Sequence, residues 1–222
     1  MKPALKRIAI ACGGTGGHLF PGLAVGDALV ARGCEVTLLV SSREVDQTAV
    51  KSAYGMEVES LPVVGLSRNL PRFAASFWSS LGQCRKLFRE NRPDAVLAMG
   101  GFTAAAPIWV GRQIDAPTFL HESNVVPGRA NLFLSRWVDE IFIGFDAARK
   151  RFGQKKITES GTPVRTEFRN QNRDECCSRL GFDAAKPLIL VTGGSQGARG
   201  VNRMVTGALP RLTNHLPDTQ WL

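Results

Sequence analysis

Nowhere in the 222 residues is there an apolar run approaching the roughly 20 residues that span a bilayer. The basic residues Lys2, Lys6 and Arg7 precede only the short run Ile8 to Cys12, which is too brief for a signal-peptide core. Any membrane contact is therefore expected to be peripheral. Cysteine is sparse and badly spaced for bridging: Cys12, Cys34, Cys84, Cys176 and Cys177 are odd in number, and two are adjacent. None has the C-x-x-C spacing of a zinc site, so reduced thiols in a reducing compartment are expected. The sequence also lacks any Asp-x-Asp, the usual metal-diphosphate clamp of sugar-nucleotide enzymes. Acidic residues are in deficit, 19 against 28 Lys plus Arg, a formal charge of +9. A surplus of that sign suits a polyanion: nucleic acid, an anionic membrane surface or a phosphorylated substrate. Composition does not choose among them, and nucleic acid has only the charge in its favour.

What is present is repetition. Arg7 to Ala11 reads as a strand running into Gly13-Gly14-Thr15-Gly16-Gly17-His18. A helix is expected from about Pro21, where proline suits the first turn, to Arg32, with Gly33 as its cap. A strand at Val36 to Val40 completes a βαβ unit. The pattern returns at Ala95 to Met99, followed by Gly100-Gly101-Phe102-Thr103, a helix to about Ile114 and a strand from Pro117 to His121. It returns again at Leu188 to Thr192, followed by Gly193-Gly194-Ser195-Gln196-Gly197-Ala198 and a helix to about Leu212. Short apolar runs bounded by turn signals are what parallel strands buried on both faces look like. The reading is a doubly wound α/β architecture. Texture changes near Gly161 to Pro163, giving an expected first domain over 1–162 and the opening of a second over 163–222, which the chain is expected to leave incomplete.

Loops that join strand ends to helix starts present backbone N–H groups and a positive helix dipole, and glycine lets that backbone approach a phosphate. A nucleotide P-loop is excluded, because no Lys-Ser/Thr follows. The dinucleotide fingerprint fails at Leu19. Ser41, Ser42 and Arg43 at the next strand end nevertheless keep an NADP-binding oxidoreductase as a weak alternative. Between Leu70 and Phe88 a helical stripe of Leu70, Phe73, Phe77, Leu81, Cys84 and Phe88 is ringed by arginines, with Trp78 off the stripe. Such a stripe packs on a core or rests on an anionic bilayer. Phe73, Phe77, Trp78 and Leu81 are the expected docking patch.

Six motifs in one order carry a family resemblance: the first Gly-rich run, Phe20-Pro21-Gly22-Leu23-Ala24 after it, Gly100-Gly101-Phe102, His121-Glu122-Ser123-Asn124, Gly161-Thr162-Pro163-Val164-Arg165, and Gly193 to Ala198. Together they resemble the MurG family of bacterial transferases. These move N-acetylglucosamine from its UDP carrier to undecaprenyl-diphosphate-linked muramyl pentapeptide in peptidoglycan synthesis. The resemblance implies a GT-B fold of two Rossmann-like domains, acceptor on the first and UDP-sugar on the second. It implies an inverting hexosyltransferase without cofactor or metal site, bound peripherally to the cytoplasmic side of the cell membrane, with other cell-wall or division proteins as further partners. Gly13, Gly14, Thr15, Gly16, Gly17, His18, Gly100, Gly101 and Phe102 are then assigned to the acceptor diphosphate. Thr15, Gly16, Gly17, Asn124, Arg165, Ser195 and Gln196 are assigned to UDP-N-acetylglucosamine. His18 is the leading general base, and Glu122 either orients His18 or is the base itself. His18 sits at a helix start whose dipole favours a neutral ring able to accept a proton, although contact with acceptor phosphate is the competing role. Ser123 and Thr162 depart from the usual glutamine and asparagine, and Thr103 and three alanines follow Phe102 where serine or glycine is usual. A non-catalytic, membrane-recruiting acceptor subunit of a split transferase is the alternative of a different class.

Overall fold

The computed structural model describes residues 6–41, 53–62, 70–168, 171–193 and 197–222, the side chains of Leu70 and Arg72 excepted. Two compact units divide the chain, Met1–Thr166 and Glu167–Leu222, against the expected division after residue 162.

In the first unit the elements run β1 (Arg7–Ala11), α1 (Gly16–Val30), β2 (Glu35–Ser41), β3 (Glu57–Leu61), α2 (Leu70–Glu90), β4 (Ala95–Ala98), α3 (Ala105–Gln113), β5 (Thr118–Glu122), α4 (Arg129–Leu134), β6 (Glu140–Ile143) and β7 (Ile157–Glu159). Seven parallel strands form one sheet in the order β3-β2-β1-β4-β5-β6-β7. The doubly wound expectation is met, and the order reverses direction between β1 and β4, where open α/β sheets leave a crevice for ligands.

Side chains alternate across each strand, so the sheet buries two cores. Ile10, Leu38 and Val40 point to the face that packs Leu19 and Leu23 of α1. Ala9, Ala11 and Leu39 point to the other, with Leu81, Cys84 and Phe88 of α2 and Ile108 of α3. Glycines set the spacing. A Cβ on Gly22 of α1 would lie 2.5 Å from the Cys12 Cβ, and one on Gly111 of α3 would lie 2.8 Å from Val96 Cγ2.

Two helix boundaries correct the sequence reading. Helix α1 begins at Gly16, not Pro21, because the His18 and Leu19 amides already donate to the Thr15 carbonyl, at 3.0 and 3.1 Å. Proline therefore sits one turn inside. Its missing N–H costs the helix one bond, to the carbonyl of Gly17. At the other end Gly33 does cap, with φ +82°. Cys34 donates to Leu29 at 3.0 Å and Gly33 to Val30 at 2.9 Å, the paired bonds of a Schellman turn. The second Gly-Gly run continues as a 3₁₀ turn over Phe102–Ala104 before α3 starts.

The second unit contains α5 (Arg173–Leu180), β8 (Leu188–Ile189), α6 (Arg199–His215) and β9 (Gln220–Trp221), with β8 and β9 parallel. Strand β8 is shorter than the expected Leu188 to Thr192. Asn172 caps α5 by accepting from the amides of Asp174 and Glu175 at 2.8 and 3.2 Å.

Candidate functional site

The loops after β1 and β4 flank the sheet's reversal point and meet there. Gly13 is wedged against the end of β2, so that a Cβ would fall 2.3 Å from the Ser41 amide nitrogen. Gly100 and Gly101 have φ of +118° and +76°, conformations that side chains disfavour. Both lie against the His18 ring. A Cβ on Gly100 would sit 2.6 Å from His18 Cε1 and 2.8 Å from Nδ1, and one on Gly101 would sit 3.4 Å from Cδ2. Gly101 also approaches Gly13, its Cβ position lying 3.5 Å from the Gly13 carbonyl. The expected acceptor residues from the two loops are thus brought together around one imidazole. Thr15 and Gly17 are exposed beside it and His18 is half-buried. Thr15, in extended backbone at φ −154°, makes no side-chain cap to α1.

The segment after β5 supplies the next layer. Glu122 is 1% exposed, and both its oxygens are engaged. Oε1 accepts from the Asn124 amide and from Asn124 Nδ2, each at 2.8 Å. Oε2 accepts from the Gly128 amide at 3.1 Å and from Asn131 Nδ2 at 2.8 Å. This corrects the expectation of Glu122 as an alternative base facing the cleft. A carboxylate sealed from solvent and shared among four N–H groups folds a loop; it does not meet an incoming hydroxyl. Asn131 Nδ2 and the His18 ring border the same glycine, since a Cβ on Gly100 would lie 3.0 Å from the one and 2.6 Å from Cε1 of the other. Asn131 is itself buried, and its Oδ1 has no hydrogen-bond partner among the described residues.

His121, also buried, ties this strand end to the segment that leaves β7. Its Nε2 lies 3.0 Å from the Gly161 carbonyl, and its Nδ1 lies 3.3 Å from the Ser123 hydroxyl. A carbonyl only accepts, so Nε2 carries the hydrogen and Nδ1 accepts from Ser123. Burial pushes the His121 pKa below its ordinary value, against smaller opposing contributions from the Gly161 bond and Glu122. Sequence reasoning passed over His121 and Asn131 as site residues. Asn131 carries no local signal, because its neighbours come from β5 and the loop after β4.

Of the expected donor residues, Asn124 lies exposed at the strand end with its amide on Glu122. Arg165 stacks its guanidinium 4.9 Å over the Phe20 ring of α1, which brings it to the His18 end of that helix. Ser195 and Gln196 lie outside the described residues. Ser41, offered for an NADP phosphate, is buried at 2% exposure and unsuited to that task; Ser42 and Arg43 lie outside the described residues.

The expected docking patch divides. Leu81 is 2% exposed and belongs to the core, which corrects its placement on a surface patch, and Cys84 and Phe88 are buried with it. Phe73 and Phe77 are half-buried, and Trp78 is 65% exposed. Among the described residues no helix is long and apolar enough to cross a membrane, and no cluster of His, Cys, Asp and Glu is suited to holding a metal.

Comparison with known proteins places the fold. A UDP-N-acetylglucosamine–N-acetylmuramyl-(pentapeptide) pyrophosphoryl-undecaprenol N-acetylglucosamine transferase from Lactiplantibacillus plantarum is 32% identical over 211 residues, 93% of this chain and 58% of that protein. The crystal structure of Acinetobacter baumannii MurG superposes with a TM-score of 0.69 at 25% identity, over 93% of this chain and 58% of that one. A UDP-GlcNAc 2-epimerase from Neisseria meningitidis, bound to UDP-GlcNAc, shares the fold at 11% identity, with a TM-score of 0.66 over 97% of this chain and 64% of its own. The chain therefore spans a little under three fifths of the length of the transferase relative it matches. The glycosyltransferase family 28 N-terminal domain matches residues 8–143, the stretch that holds both glycine loops, His18 and the Glu122 web, and the chain belongs to that family.

Proposed function

We propose that this chain carries the acceptor side of an inverting transferase that moves N-acetylglucosamine from UDP-N-acetylglucosamine to the 4-hydroxyl of undecaprenyl-diphosphate-linked muramyl pentapeptide. The observation that carries the reading is the meeting of the Gly13–Gly17 and Gly100–Gly101 loops around the His18 ring at the sheet's reversal point. A diphosphate at the start of α1 faces backbone amides and the positive end of the helix dipole. His18, on the first turn of the same helix, takes the proton from the muramyl hydroxyl as that oxygen attacks the anomeric carbon. The C–O bond to the diphosphate breaks and UDP leaves with the electron pair. Arg165 contributes a fixed cationic fork suited to the leaving diphosphate. Ser195, Gln196 and Asn124 are assigned to the donor by family resemblance. Glu122 acts through Asn131 and Asn124 as a positioning residue.

The same reading places the protein peripherally on the cytoplasmic side of an anionic membrane, with Trp78, Phe73 and Phe77 toward the bilayer and the surplus of basic residues toward its headgroups. The absence of Asp-x-Asp from the sequence supports metal-independent transfer. Full activity in excess chelator is the expected result, and stimulation by a divalent ion bound to a mapped side chain counts against it. His18→Ala in the full-length protein is expected to lower turnover by about 10²–10⁴ with acceptor affinity retained. A loss confined to acceptor binding makes His18 a phosphate ligand and not the base.

A further inference from the structure

The apolar face of the first unit is concave. A cavity of about 650 Å³ opens between α2, α3, α4 and the turn that follows α4. Its floor is core: Leu81, Ile108 and Leu134 are each 3% exposed or less. Its walls are aromatic, and two contacts hold them in place. The rings of Trp109 and Trp137 lie 5.2 Å apart, and Phe73 meets Phe102 edge-on at 5.6 Å. Arg112 donates to the Trp137 carbonyl at 2.9 Å, fixing the far wall. The polar side chains that reach the cavity, Arg85 and Gln113, bond to each other at 3.3 Å.

The size lies in the range of small-molecule sites, and so large an exposed apolar surface marks a partner. A flat bilayer surface covers the rim, at Trp78 (65% exposed) and Phe133 (54% exposed), but does not fill the depth beneath it. Continuity and charge say what does. Gly101 and Phe102 line the cavity and also form the second glycine loop, against His18. An occupant that spans both places has an anionic head on backbone amides and a hydrocarbon chain that leaves the head directly into an aromatic groove.

We infer that the groove between α2, α3 and α4 binds the head-proximal isoprene units of the acceptor's polyprenyl chain, so that the protein grips the lipid itself as well as the membrane around it. This rests on the acceptor reading of the glycine loops. The groove holds part of such a chain, and the rest stays in the bilayer. Rigid rings suit a branched, unsaturated chain that offers no hydrogen bonds.

The test is binding of farnesyl diphosphate and of inorganic diphosphate to the full-length protein in vesicle-free buffer, followed by calorimetry, with cosedimentation on anionic vesicles measured separately. The variants are Phe133→Ser and, separately, Trp109→Ala, both at solvent-accessible positions where truncation spares the fold. Farnesyl diphosphate is expected to bind at least about tenfold more tightly than diphosphate, because the chain leaves water. Each variant is expected to lose most of that preference while keeping its diphosphate affinity. Equal affinity for the two probes overturns the inference, as does a preference that survives both variants. So does a result in which the variants lose only vesicle binding, which makes the groove a membrane-docking face. Variant-sensitive farnesyl binding without any measurable diphosphate binding keeps the groove and removes the acceptor reading of the loops.

Discussion

Glu122 and His18 are separated in the chain by more than a hundred residues, yet Glu122 is held by Asn131 of α4 and His18 lies against Gly100, and Gly100 and Asn131 adjoin each other. Substituting Glu122 by Leu strands the amides of Asn124 and Gly128 and the Asn131 side chain without an acceptor. A loss of at least ~3 kcal/mol is expected, read from the urea midpoint. A midpoint within about 0.5 kcal/mol of wild type means that the web contributes nothing to the fold. Gly100→Ala combines a φ of +118° with a clash on the imidazole, so it is expected to displace His18 and to lower turnover more than stability. His121 sets a pH dependence. Its folded pKa lies below the ordinary 6.5, so below that pH the unfolded chain binds the proton more readily. Stability contributed by its neutral form is full above about pH 6.5 and is lost as the pH falls through the folded value. Thermal melting from pH 7.5 down to 5 is expected to show that loss, and His121→Gln is expected to flatten it. Burial also raises the Cys84 thiol to about 12, so alkylation of the native protein at pH 8 is expected to spare it.

Helix α2 shows what a stripe on a helical wheel does and does not tell. Its periodicity is legible in sequence, and so is the helix. The division of the stripe is not, because the neighbours that bury Leu81, Cys84 and Phe88 come from β1, β2, β4 and α3, whereas Trp78 lies outside that cluster and stays exposed. Leu81→Ala is therefore expected to destabilise the fold by about 2–5 kcal/mol. Trp78→Ser is expected to leave stability within about 0.5 kcal/mol while weakening binding to anionic vesicles at low and high salt alike, because the change removes apolar contact and no charge. Equal effects of the two changes on stability contradict the division. The capping glycine at Gly33 was readable because a left-handed turn has one favoured residue. The start of α1 was not, because proline is compatible with the first turn without requiring it, and the Thr15 carbonyl had already begun the helix. Trp109, Phe133 and Trp137 form a groove only once three separate helices and the turn after α4 are packed, so no local pattern announces it.

At the scale of the whole molecule, the first two strand–glycine–helix repeats belong to one parallel sheet, whose order places their glycine loops on either side of its reversal point, while the third supplies β8 of the second unit's sheet. That placement turns a list of motifs into a site. The most direct measurement is the linkage made by the full-length protein when UDP-N-acetylglucosamine and a prenyl-diphosphate muramyl-peptide acceptor are supplied together. Attack by the acceptor hydroxyl on the face opposite the departing UDP predicts a β-linked disaccharide on the acceptor's 4-oxygen. An α-linked product, or consumption of the sugar nucleotide with no new glycosidic bond, would contradict the account.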